Sequence, residues 1–454
     1  MSYRSGFQAL KWIAPAALLL LLGSGCSNRS MTGKIIAVEI PGRNIENLEG
    51  ARIIEVDPEA SRNKAVVLSK GFSSAASPSL SHDGRFLFFQ GKKQDSDPWQ
   101  IWMMDLQKNK FHQVTDLPEP CTHPVPIPDE TVVFSRQRTV KEVVVNDLWR
   151  CGNDGCCLTQ ITHNPSMNVE AAILNEGRIL YLSSQQYPDP RSPVLMVMRP
   201  DGTKSELYSP GCCGWSPVTG GAESADGYIY FISSGGRLSR VLHRRPLHTF
   251  ENLSDGIEGT FSAVTPLPEG GCLVSYRPAP GEPTGLYTFN EGNGRPELVF
   301  QGDRDITDPV WIMAMDERPR ILPSAVNPEN PTGLLMSQDI NHSMLPVHPG
   351  IAGDTMATSI RVSYLEGKQA VTEVEMDGSF YLKMDTDSPF RIETLNKAGE
   401  TVRGPSDWIY LRPNERRACT GCHADPELAP ENIQPLAVKK DPVEIYARMK
   451  ESSN

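Results

Sequence analysis

The 454-residue chain contains no uninterrupted apolar run long enough to cross a bilayer as a helix. Such a helix needs about 20 consecutive apolar residues, and the run from Trp12 to Leu22 is far shorter. Positive charge is also in deficit. With 44 Lys and Arg against 55 Asp and Glu, the formal charge of −11 argues against a nucleic-acid groove, which needs clustered cations. No nucleic-acid partner is expected. No Gly-rich phosphate loop, Ser-His-Asp order or His-Glu-x-x-His motif is evident, so three common kinds of catalytic site have no sequence support. Turn chemistry, by contrast, is plentiful. The 37 Gly and 38 Pro suit many short strands joined by turns.

The N-terminal stretch MSYRSGFQALKWIAPAALLLLLGSGCSNRS places Arg4 and Lys11 ahead of the short apolar run and small residues directly before Cys26. This is the layout of an export signal over residues 1–25. LLGSGC resembles a bacterial lipoprotein cleavage box, although Gly23 stands where such boxes usually have Leu. The resemblance implies a lipidated Cys26, with the body tethered to the membrane by its acyl chains. Ser27, in place of an aspartate, favours the outer membrane. Export also implies an oxidising compartment in which cysteines can pair.

A repeat dominates residues 33–318. SHDGRFLFFQG, IPDETVVFSRQ, LNEGRILYLSS, SADGYIYFISS and LPEGGCLVSYR each set an acidic residue in a polar turn before an apolar strand. Those residues, Asp83, Asp129, Glu176, Asp226 and Glu269, are spaced 46, 47, 50 and 43 apart. A period in the forties with about four short strands per unit is the pattern of a β-propeller. The repeats resemble those of Tol-type periplasmic propellers. Five clear repeats leave strand-like segments at both ends, and a sheet drawn from both would complete six blades and remove exposed edges. The acidic residues themselves are read as turn formers.

A proline-rich connector spans 319–331. Short strands and turns then suggest a small β-sandwich-like domain over 332–436, followed by a polar tail, 437–454, with a helix candidate at VEIYARMK. The fold expected is all-β. Late in the small domain stands RACTGCHADPEL, with Cys419, Cys422 and His423. In a Cys-x-x-Cys-His motif the two thiols add across the two vinyl groups of a haem, and the histidine is set to ligate the iron. The competing readings are a zinc site completed by a remote fourth ligand and a simple Cys419–Cys422 disulfide.

The stretch around that motif, with GSFYL, W-I-x-x-RP-x-E-RR-x-C-x-GCH and ELAP, resembles the hydrazine synthase alpha-subunit family. The resemblance implies a propeller joined to a small β-domain with c-type haem, and carries Cys419, Cys422 and His423 onto the haem positions. A single attachment motif, where the enzyme subunit has more than one haem, makes hydrazine synthesis itself a poor expectation. In that family the motif histidine need not be the iron ligand, which leaves room for another metal at His423.

INHSMLPVHPGIAGDTM supplies His342, Met344, His348 and Met356 as distal iron ligands, with His348 preferred. Arg412, Arg416 and Arg417 flank the motif as partners for haem propionates or as a solvated turn. Cys151, Cys156 and Cys157 in one repeat and Cys212 and Cys213 in the next suggest loop disulfides, or a metal site joined by His123 and His163. Cys121 and Cys272 complete the thiols. Trp99, Trp102, Trp149 and Trp215 are read as packing between sheets. The functional expectation is an envelope-anchored, monohaem c-type electron-transfer protein, its propeller docking a redox partner. A haem enzyme with an open iron site and a haem-free binding module are the alternatives.

Overall fold

The repeated turn folds as its residues dictate. Ser81 Oγ donates to the Asp83 carboxylate at 2.5 Å, which also accepts the Arg85 N–H at 3.1 Å. Gly84 follows at φ +66°, a left-handed conformation that glycine takes without strain. One repeat later Asp129 accepts from Thr131 Oγ1 at 2.6 Å. Here Glu130 holds the same φ of +66°, although it is no glycine. The acidic residues are turn formers, as the sequence suggests.

The computed structural model describes residues 33–60, 65–210, 215–313, 318–351, 353–422, 425, 427–428 and 434–446. The export signal, Cys26, Cys212, Cys213 and His423 lie outside them. Each turn joins the first two strands of a four-stranded unit, and these units span 74–113, 121–160, 166–209, 222–252 and 260–300. A single parallel bridge, Asn146 to Met167, fuses the second and third of these into one sheet of eight strands. The ends of the repeat region meet as expected. Asp305–Trp311 pairs antiparallel with Ile35–Ile40, which continues into Arg52–Val56 and Ala65–Val67.

The core lies between sheets. Phe89 packs with Ile36 and Ile53, Phe88 with Phe134, and Tyr181 with Val133. Leu180 packs with Phe231, Tyr230 with Phe261, and Leu273 and Leu286 with Ile35 and Ile54. The contacts thus return to the strands where they began. Full burial of each such side chain contributes about 1.5–3 kcal/mol. Trp215 stacks on Phe250 with ring centres 3.8 Å apart, and Trp102 meets Phe72 edge-on, in keeping with a packing role.

Two further four-stranded sheets form the small domain. One orders Arg416–Gly421, Thr332–Asp339, Phe380–Asp385 and Val443–Ile445; the other orders Gln369–Glu373, Ser359–Tyr364, Phe390–Leu395 and Thr401–Arg403. Leu335, Leu382 and Met384 from the first face Ile360, Val362 and Phe390 from the second. One expectation is corrected. Residues 443–445 are an edge strand parallel to Phe380–Asp385, not the start of a helix, because Ile445 is drawn into the core and Tyr364 donates to its carbonyl at 3.0 Å. Cys419 lies on the sandwich's other edge strand.

The small domain sits on the 121–209 sheet. Two ten-residue strands, Thr131–Val140 and Val143–Gly152, carry a hairpin tip out to it. There Val140 and Val145 pack with Leu365 and Trp408, and Lys141 donates to the Leu365 carbonyl at 2.6 Å. Trp408 Nε1 donates to the Tyr187 carbonyl at 2.7 Å. Tyr410 is buried against the carbonyls of Ile161, at 3.0 Å, and Gly202, at 3.3 Å.

Candidate functional site

Cys419 lies within Arg416–Gly421, paired in parallel with Ser337 of Thr332–Asp339, and its side chain packs against the sandwich core. Cys422 follows at the strand end, its N–H donating to the His342 carbonyl at 3.1 Å. That carbonyl lies 2.1 Å from where a Cβ on Gly421 would sit, so the chain passes the cysteine corner only because residue 421 is glycine. Both thiols are free. Burial pushes the pKa of each upward, opposed at Cys419 by Arg417 and Lys204 and at Cys422 by Arg403. At neutral pH they are therefore thiols rather than thiolates.

Of the expected distal ligands, His342 is the one in contact with this corner among the described residues, and it touches it through its backbone. His348 is exposed; its N–H donates to the Val402 carbonyl at 2.8 Å, and its Nδ1 lies 3.4 Å from the Gly350 nitrogen. Met344 is 72% exposed and Met356 59%. A third methionine, Met376, is 98% exposed on the turn whose Gly378 carbonyl accepts the Ile340 N–H. Sequence reasoning passed over Met376, since nothing along the chain separates an exposed turn methionine from a buried one.

The arginines divide. Arg412 is buried, bonded to the Asp387 carboxylate at 2.7 Å and the Asp201 carbonyl at 3.2 Å, with its guanidinium against His163 Nε2. Arg417 pairs with buried Glu415 at 2.8 Å. Arg416 alone is exposed. His163, offered as a metal ligand or a surface residue, is instead part of an interdomain latch. Burial, and then the charges of Arg412 and Arg138, hold its pKa down to about 3, so its neutral ring accepts the arginine proton. Asp387 completes the latch 3.3 Å from His163.

The expected loop disulfides do not form among the described residues. Cys121, Cys151 and Cys272 are buried as small apolar side chains, with pKa values pushed up to about 12 chiefly by burial. Cys156 and Cys157 are exposed and free. No three His, Cys, Asp or Glu side chains among the described residues group to hold a metal ion.

Fold and site define a class: an all-β protein in which repeated four-stranded sheets carry a small sandwich edged by a Cys-x-x-Cys strand. Within that class the chain is similar to hydrazine synthase alpha subunits. Residues 341–424 match the profile of the hydrazine synthase alpha subunit middle domain. The hydrazine synthase subunit alpha of Kuenenia stuttgartiensis is 22% identical, over 83% of this chain and 62% of its own length. This chain therefore spans less than two thirds of that relative. The solved hydrazine synthase of the same organism shares the fold, with a TM-score of 0.77 at 20% identity over 90% of this chain and 71% of that one. TolB from Acinetobacter baumannii overlaps 62% of this chain and 66% of its own, at 14% identity and a TM-score of 0.47.

Proposed function

We propose that this protein is an envelope-anchored, monohaem c-type cytochrome-like electron-transfer protein, lipidated at Cys26 on the outer membrane. Its repeat region is a six-bladed propeller that docks a redox partner. The observation that carries the reading is the pair of free thiols at the end of the sandwich's edge strand. Cys419 lies on the edge strand and Cys422 just past its end, with two residues between them, the spacing that two thioether bonds need. Met344, Met356 and Met376 expose their side chains to solvent in the same domain, thioethers that a haem iron would accept as ligands. Protonated thiols match the chemistry of addition across vinyl groups, in which each S–H supplies both sulfur and proton.

Haem c held there supplies a one-electron ferrous–ferric couple. His423 would ligate the iron, with His348 or one of the three methionines as a second ligand, histidine giving the lower potential. The sandwich core behind Cys419 excludes water from one side of the attachment strand. The complete chain of inter-sheet clusters, from Ile36–Phe89 round to Leu273–Ile35, supports a closed ring.

The test is a pyridine haemochrome spectrum of protein exported from cells with haem-attachment machinery. A c-type α band with one haem added to the mass is expected, lost in Cys419→Ala/Cys422→Ala. Colourless, correctly exported protein of unchanged mass overturns the reading. Cyanide and carbon monoxide leave the Soret band of a six-coordinate carrier in place, whereas a large shift would indicate an open-site enzyme.

A further inference from the structure

The first strand of each of five units is broken by a register shift that leaves one or two residues out of the ladder, the first of them Ser77, His123, Glu170, Ser262 and Asp308. Gly220 occupies the matching place in the 222–252 unit. Four of these non-glycine residues adopt positive φ, between 48° and 52°. All six line one cavity of about 590 Å³, within the range of small-molecule sites.

The cavity is chemically one-sided. Glu46, Glu170 and Asp308 line it, and among the described residues no Lys or Arg does. Glu170 accepts one hydrogen bond, from the Gly220 N–H at 2.6 Å. Asp308 accepts from Thr307 Oγ1 at 3.2 Å. Burial, then repulsion from Glu170, raise the Asp308 pKa to about 6; burial likewise raises that of Glu170 and lowers that of His123. The His123 ring meets Thr122 Oγ1 at 3.0 Å through Nδ1, and its other nitrogen, Nε2, is the one left for a ligand. Ser262 Oγ, buried in the same wall, has no hydrogen-bond partner among the described residues. Carboxylates enclosed without a cation are costly to keep, and such a pocket concentrates positive ligands.

We propose that this cavity binds a small organic cation, an alkylammonium or diamine, with Glu170 and Asp308 accepting its N–H groups and His123 Nε2 as a further acceptor. A metal ion fits less well, because among the described residues no three such side chains converge to metal-ligand spacing. Leu48, Val125, Val218, Ile232 and Phe261 supply apolar wall for the carbon body.

The test is isothermal titration of the mature, full chain with n-butylammonium, 1,4-diaminobutane, n-butanol and magnesium chloride. Saturable binding of the two amines with butanol silent is expected, weakened at least tenfold in Glu170→Gln and in Asp308→Asn. Both replacements keep shape, and asparagine tolerates positive φ. Four results overturn the proposal: no amine binding, equal binding of butanol, tighter binding of magnesium, or full affinity in the double variant. Binding of a lysine-bearing peptide with the free amines silent also overturns it. Should either variant misfold, the comparison of butylammonium with butanol on the wild type still decides. Cys419→Ala/Cys422→Ala is expected to bind the amines unchanged, so the fate of the haem reading is separable.

Discussion

Acidification should loosen the latch between repeat region and sandwich, and His163 is the group through which it does so. The unfolded histidine titrates near 6.5, and the folded one near 3, because burial and two arginines oppose its charge. A base whose folded pKa is depressed contributes stability that is present above the unfolded pKa and lost as pH falls. Between pH 7 and pH 5 the loss is about 2 kcal/mol by proton linkage. The figure barely changes for a folded pKa one unit higher, since pH 5 lies above both values. Asp147, raised to about 6 by burial, titrates in the opposite sense, and Asp387 is shifted the same way. The clean quantity is therefore a difference. Urea unfolding followed by tryptophan fluorescence, reporting Trp408 at the interface, should show wild type losing about 2 kcal/mol more than His163→Gln from pH 7 to pH 5. Equal losses in the two proteins would refute the reasoning.

Gly202 sits at φ +82° with the Ile161 carbonyl 2.1 Å from where a Cβ would be. Gly202→Ala should thus cost about 2–4 kcal/mol, because backbone must move against backbone, read as a fall in the urea midpoint. Tyr410→Phe removes a buried hydroxyl that answers two carbonyls, and a loss of about 1–3 kcal/mol is expected in the same assay. Cys26→Ser should move the protein from the membrane pellet to the soluble periplasmic fraction and abolish labelling by radioactive palmitate; continued sedimentation with membranes would count against the anchor.

Much of the fold was legible because β-structure writes itself locally. Acidic turns at a period in the forties marked the four-stranded units, and unmatched strands at both ends anticipated the pairing of Ile35–Ile40 with Asp305–Trp311. The contacts that mount the sandwich were not legible. His163, Asp387 and Arg412 are far apart in sequence, and only the three-dimensional path joins them. The 443–445 strand was missed for a related reason: three residues are too few to show period 2 against a helical propensity.

The cavity residues are a different kind of omission, since their signal was present. His123 and Glu170 stand six residues before Asp129 and Glu176, as Ser77 does before Asp83, so the repeat that revealed the turns also carried the bulges. The two positions differ in what sequence they require. The turn carries an acid in all five copies and, after it, a residue at positive φ that is glycine in four of them, so it is visible by comparison among repeats. A bulge needs only its backbone, and its side chain is free to differ: Ser, His, Glu, Gly, Ser and Asp occupy it in chain order. Variation at a fixed place in an otherwise constant frame marks where a repeat protein can specialise, because the shared fold imposes nothing there. Left-handed backbone at His123, Glu170 and Asp308 reinforces the point. That conformation is strained for residues of this size, and here it turns three ionisable groups toward one space.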